Sequence, residues 1–186
     1  MHQQQKRIQL KDKVFKPYIS EDKITAAIED IAFKINSELD GKIPLFLVVL
    51  NGSFMFAADL LRKINVPCDI SFIKVASYHG VNSSGSVTEL IGLTENIEGR
   101  NIIIVEDIVD TGTTMEKLFQ LLQHRKVNEV RVATLLFKPE AYKKPYTINY
   151  AGLTIPNDFV VGYGLDYDGL GRNLPEIFVL DENHAK

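Results

Sequence analysis

An α/β architecture, a twisted and mostly parallel sheet flanked by helices, follows from three features of the 186-residue chain. Residues 45–50 (L-F-L-V-V-L) and 102–105 (I-I-I-V) are continuous apolar runs, not alternating ones. Strands of that kind are covered on both faces, as in a parallel sheet. Each run ends in a polar turn containing glycine, and each turn opens into apolar residues at helical spacing.

Composition narrows the class. The length suits one domain, residues 1–186, able to bury about 70% of its unfolded surface. The chain is 45% hydrophobic and 24% charged, which is ordinary for a soluble globular protein. Lys+Arg 21 against Asp+Glu 24 gives a net charge of −3, which argues against a dedicated nucleic-acid binder. The single Cys68 excludes an internal disulfide and a cysteine-rich zinc site; it precedes a strand and reads as structural. The four histidines show no metal-ligand spacing. The start, M-H-Q-Q-Q-K-R, is polar and unlike a signal peptide. No apolar run approaches the ~18 residues of a membrane span. A cytoplasmic protein is expected, with no membrane or nucleic-acid partner.

In order, residues 1–19 read as an arm leading in through a short strand or hairpin. Ser20 is a plausible N-cap, and Ile24, Ala27, Ile28, Ile31, Ile35 and Leu39 then share one helical face, closed by Asp40-Gly41. The strand at 45–50 runs into Asn51-Gly52-Ser53, and a helix follows with Phe54, Ala57, Ala58, Leu61 and Ile64 inward. Residues 69–75 read as a strand. Residues 76–86 are small and polar with two glycines, which suits a loop or a lid. Residues 87–93 return as a strand and 98–100 turn into the next run. After the central helix, 129–137 is a strand ending at Lys138-Pro139, 139–145 a loop, and 146–153 an edge strand. Residues 159–165 read as a strand closing at Asp166, and 177–180 as the last one.

The chemistry is concentrated at 101–114, N-I-I-I-V-E-D-I-V-D-T-G-T-T. Met115, Leu118, Leu121 and Leu122 follow at helical spacing, so the polar cluster joins a strand's carboxyl end to a helix's amino end. In open α/β sheets ligands bind there. Asp110-Thr111-Gly112-Thr113-Thr114 offers hydroxyls and free backbone N–H groups at a helix start, suited to a phosphate monoester. Glu106 and Asp107 suit a sugar diol or a hydrated Mg²⁺. Together they point to a phosphorylated ribose. A D-T-G alone would be an ordinary capped turn. E-D-x-x-D-T-G-x-T between a buried strand and a helix is far more specific.

Residues 105–114 resemble the phosphoribosyl-pyrophosphate motif of type I phosphoribosyltransferases. The form E-D-I-V-D-T-G-x-T is most similar to that of the hypoxanthine-guanine phosphoribosyltransferases, and the likeness extends over roughly residues 8–182. The resemblance implies that fold, with a small hood of N- and C-terminal segments over the base. It implies transfer of 5-phosphoribose from its 1-pyrophosphate to hypoxanthine or guanine with Mg²⁺, giving IMP or GMP and pyrophosphate. Asp110 would handle the proton at purine N7. Thr111, Gly112, Thr113 and Thr114 would take the 5′-phosphate. Glu106 and Asp107 would hold the ribose hydroxyls, partly through magnesium.

Other positions carry over singly. Leu50-Asn51-Gly52 matches a pyrophosphate-binding turn, often Leu-Lys-Gly with a non-proline cis peptide; here Asn51 replaces the lysine. Ser77-Tyr78 matches a pair on a closing loop. Lys138 would donate to the exocyclic oxygen of a 6-oxopurine, although such a lysine read alone would simply be solvated. Phe159 would stack on the purine and the Val160 backbone would read its Watson–Crick edge. Asp166 would contact magnesium or the guanine amino group, and Arg172 would contact pyrophosphate. Asp158 stands where many members carry lysine. A homodimer or homotetramer is implied. Sister transferases for xanthine, adenine or a pyrimidine stay open. So do RNA-binding regulators of the same fold, although the charge balance and the absence of Lys/Arg runs beyond two residues speak against them.

Overall fold

The computed structural model describes residues 7–39, 41–76, 88–91, 93 and 95–182. These residues form a six-stranded and a four-stranded sheet. The larger contains β3 (Leu45–Val49), β4 (Asp69–Ala76), β5 (Thr88–Ile91), β6 (Asn101–Val109), β7 (Glu129–Phe137) and β8 (Tyr150–Thr154), in the order β5-β4-β3-β6-β7-β8. All neighbours are parallel except β4 and β5. The helices are α1 (Glu21–Glu38), α2 (Phe54–Leu61) and α3 (Thr113–Gln123).

The continuous apolar strands are buried on both faces, as their sequence requires. In β3, Phe46 and Val48 pack with Ile28, Ile31 and Ile35 of α1 and with Phe56 and Leu60 of α2. Leu45, Leu47 and Val49 point the other way, into the cluster containing Met115, Leu118 and Leu122 of α3. Alternate side chains of one strand thus supply two cores. Ser20 is the N-cap of α1 by position but makes no side-chain capping bond. Cys68 is half-buried against the first core.

Several assignments differ from the sequence reading; the edge strand read at 146–153 is β8, which begins only at Tyr150. In α2 the inward residues are Phe56, Ala57 and Leu60, whereas Phe54 and Ala58 face out. Strand β6 runs on to Val109, so Glu106 and Asp107 sit on its last turns of pleat and not in the loop. The run at 159–165 yields only β9 (Val160–Val161), because positive-φ glycines at 162 and 164 turn the chain out of the sheet.

The smaller sheet joins the chain's two ends. Strands β1 (Ile8–Leu10), β2 (Lys13–Ile19), β10 (Ile177–Leu180) and β9 are antiparallel in the order β1-β2-β10-β9. Phe15, Val161 and Phe178 form its own small core. This is the expected hood.

Candidate active site

Parallel pairing brings the carboxyl ends of β3, β6 and β7 to one edge of the large sheet. Three turns therefore converge there: 50–52 after β3, 110–114 after β6 and Lys138 after β7. A cavity of about 250 Å³ lies at this edge, lined by Glu106, Asp107, Asp110 and the turn through Thr114.

Glu106 is buried, and among the described residues its Oε2 has no hydrogen-bond partner. Burial, and then the neighbouring Asp107, pushes its carboxyl well above the usual range. Burial also raises Asp107, to about 6, against the opposing pull of the Ile108 N–H, which donates to Oδ1 at 2.9 Å, and of Arg172. A buried carboxylate oxygen without a partner is costly unless a ligand or ion completes it.

Lys138 is buried, and its Nζ donates to Asp110 Oδ2 at 2.9 Å; Asp110 is half-exposed. The Lys138 N–H also donates to Val109 O at 3.0 Å, fixing the lysine at the end of β7 beside β6. In the turn at 110–114, Thr111 and Thr113 share a hydroxyl contact at 3.0 Å, and Gly112 is the α3 N-cap with φ +83°.

The turn after β3 is tied in by backbone. The Leu50–Asn51 peptide is cis. The Leu50 N–H donates to Ile73 O at 2.8 Å, and Ser53 Oγ donates to Val49 O. Asn51 is exposed. Gly52 lies directly on Asp107, so that an added Cβ would fall on the carboxylate. On the far side of the same turn, a Cβ at Gly164 would fall on the Gly52 carbonyl. Only residues without side chains allow the hood segment, the β3 turn and Asp107 to meet so closely.

Asp166 and Arg172 come from that hood segment. Arg172 Nη2 pairs with Asp166 Oδ1 at 2.6 Å and Nη1 donates to Gly164 O at 2.7 Å. Asp166 Oδ2 accepts from the Gly169 N–H at 2.7 Å. Phe159 is 45% exposed, with its ring 6.1 Å from Phe15 and edge-on to Tyr167 at 5.9 Å. A solvent-facing ring held by two others offers a ready stacking surface. The Val160 side chain is buried. Asp158 faces Tyr18 of β2: burial, and then that carboxylate, raises the Tyr18 phenol. Ser77 and Tyr78 lie outside the described residues.

Sequence reasoning did not find Gly164 as a contact, nor the Tyr142 and Lys144 side chains that cover Gly112. For Gly164 a signal existed, since glycines at 162 and 164 in an apolar run mark a bend or a close approach.

Comparison with known proteins agrees with this geometry. A family model described as phosphoribosyl transferase domain matches residues 19–168. A hypoxanthine-guanine phosphoribosyltransferase of Lactococcus lactis is 43% identical over 166 residues, covering 89% of this chain and 90% of its own. One from Streptococcus agalactiae is 42% identical over 174 residues, covering 93% and 97%. The crystal structure of a hypoxanthine phosphoribosyltransferase from Staphylococcus aureus superposes with a TM-score of 0.85 at 38% identity, over 92% of this chain and 94% of that one. Motif, sheet order, hood and site point the same way: the chain belongs to the phosphoribosyltransferase family, among the hypoxanthine-guanine phosphoribosyltransferases.

Proposed function

We propose that the protein transfers 5-phosphoribose from 5-phosphoribosyl 1-pyrophosphate to hypoxanthine and guanine, forming IMP or GMP and pyrophosphate in purine salvage. The observation that carries this reading is the Glu106 carboxylate, buried and without a partner beside Asp107, at the edge of a turn built for an anion.

Magnesium fits this donor set in one particular way. Among the described residues no three acidic, histidine or cysteine side chains cluster as a cation cage. Mg²⁺ is commonly held by one or two carboxylates, with waters and substrate oxygens completing its shell. Glu106 and Asp107 would hold it together with the substrate. Asp166, already engaged by Arg172 and Gly169, would join only by releasing one of them. Bound there, the ion would screen the charge on ribose-linked pyrophosphate.

The protein's own groups supply the rest. The N–H groups and hydroxyls of Thr111 to Thr114 hold the 5′-phosphate at the start of α3. The backbone of the turn at Leu50, Asn51 and Gly52 receives the pyrophosphate, with Arg172 nearby. As the anomeric C–O bond breaks, the ribose gains oxocarbenium character, and Glu106 and Asp107 lie under its hydroxyls. Phe159 stacks on the base. The Lys138–Asp110 pair sets a donor beside an acceptor, matching the adjacent O6 acceptor and N7–H donor of a 6-oxopurine. Purine N9 attacks the anomeric carbon, pyrophosphate leaves with the bonding electrons, and Asp110 takes the N7 proton. The protein would act in the cytoplasm as a homodimer or homotetramer, a state that light scattering would read.

The test is direct. The protein is mixed with Mg²⁺ and 5-phosphoribosyl 1-pyrophosphate, and hypoxanthine, guanine, xanthine, adenine and uracil are offered separately. Nucleotide should form with hypoxanthine and guanine and cease with a chelator. Turnover of adenine or uracil in their place would reassign the base, and no turnover with any base would sink the reading.

A further inference from the structure

The phosphate turn Asp110-Thr111-Gly112-Thr113-Thr114 has no basic side chain. It is followed by Glu116 in the first turn of α3. An acid at that point competes with a bound anion for the same dipole. A phosphate dianion in this turn would gain from a cation brought from elsewhere.

The loop after β7 brings one. A Cβ added at Gly112 would meet Tyr142 Cε2 at 2.5 Å and Lys144 Cγ at 2.8 Å, so both side chains lie across the turn. The loop is fixed there by its own contacts. The Tyr142 N–H donates to Lys138 O at 3.1 Å, and the Tyr142 hydroxyl donates to Tyr146 O at 2.7 Å. The Tyr142 ring meets Phe137 at 5.5 Å, and Tyr146 stacks on Phe119 of α3 at 4.1 Å with an interplanar angle of 4°. From this clamp the Lys144 ammonium reaches Glu116 Oε2 at 2.7 Å. Only Cδ and Cε separate Nζ from the carbon that an added Cβ at Gly112 would meet. Rotation about flexible bonds moves the charge between Glu116 and the turn without moving the loop.

We propose, on the phosphoribosyl reading of this turn, that Lys144 is a 5′-phosphate-binding residue. Its ammonium leaves Glu116 for the phosphate and supplies the cation that the turn lacks. In the free protein the Glu116 pair holds that ammonium at the entrance. When phosphoribose binds, Glu116 turns to solvent, for which its partial exposure leaves room.

Titration calorimetry with IMP, ribose 5-phosphate and Mg²⁺-pyrophosphate tests this. Lys144→Gln should weaken IMP and ribose 5-phosphate about tenfold, the lower end for a charged hydrogen bond, because the Glu116 pair is given up in exchange. Pyrophosphate affinity should stay within about twofold. Lys144→Arg should recover most of the loss, and Glu116→Gln should tighten IMP. Unchanged IMP affinity in Lys144→Gln overturns the proposal. So does equal weakening of IMP and pyrophosphate with a fall in Tm, which would make Lys144 only a fastener of the loop. Wild-type protein that binds neither IMP nor 5-phosphoribosyl 1-pyrophosphate overturns the phosphoribosyl reading itself, and the role of Lys144 with it.

Discussion

Two carboxylates of β6 and its turn do opposite things. Asp110 is half-exposed and paired with Lys138, and in the proposed reaction it takes the purine N7 proton. Asp110→Asn removes the basic carboxylate with little change in volume. Its kcat is expected to fall by about 10²–10⁴, while 5-phosphoribosyl 1-pyrophosphate binds as before. Steady-state kinetics beside a binding titration would show this split, and an unchanged kcat would remove Asp110 from the proton transfer. Asp107 is half-buried, and desolvation pushes its carboxyl up to about 6 from an ordinary 3.8. Between those values the folded state binds the extra proton. Stability from this group is therefore full below about pH 4 and is lost as pH rises through 6. In the metal-free protein, Asp107→Asn should gain on wild type by up to about 3 kcal/mol between pH 4 and 7, read by denaturant titration at each pH. A gap that stays flat with pH would contradict the shift.

Packing between elements carries its own prediction. Gly152 of β8 lies beneath α1: an added Cβ would meet Leu135 O at 2.9 Å, Ile31 Cδ1 at 3.2 Å and the Ala27 Cβ at 3.4 Å. The first of these is backbone and cannot rotate away. Gly152→Ala should therefore strain the β7–β8 pairing and press on α1, at a cost of about 1–3 kcal/mol, measured as a lower denaturation midpoint with normal KM values. The helices also mark what was readable beforehand. Strands β3 and β6 were legible because unbroken aliphatic runs have few other uses. The motif turn was legible because its acids, hydroxyls and glycine are local. The face of α2 was not, since F-M-F-A-A-D-L-L is apolar nearly all round and no polar stripe sets its phase. The Lys138–Asp110 pair, 28 residues apart, and the Lys144–Glu116 pair, also 28 apart, exist only once β6 and β7 lie side by side. No local pattern encodes such contacts.

Across the whole molecule, ligand binding should be read as stability. At 100 times its Kd, 5-phosphoribosyl 1-pyrophosphate with Mg²⁺ should add about 2.7 kcal/mol, raising Tm by about 5–10 °C for a chain of this length. Scanning fluorimetry should lose much of that shift when chelator is added, if Glu106 and Asp107 share the ion with the substrate. A full shift in chelator would place binding elsewhere. The meeting of Gly164 with Gly52 has a further consequence. The hood segment at Gly164 and the turn at Leu50, Asn51 and Gly52 meet as one peptide resting on another, with no side chain between them at that contact. On the proposed function, the gauge between the two halves of the substrate is therefore cut into the main chain. Selection or design can repaint the walls of the base pocket residue by residue, but cannot widen its span by a point substitution. A bulkier heterocycle would have to be admitted by trimming the ring or lysine that greets it, because the distance itself is not for sale.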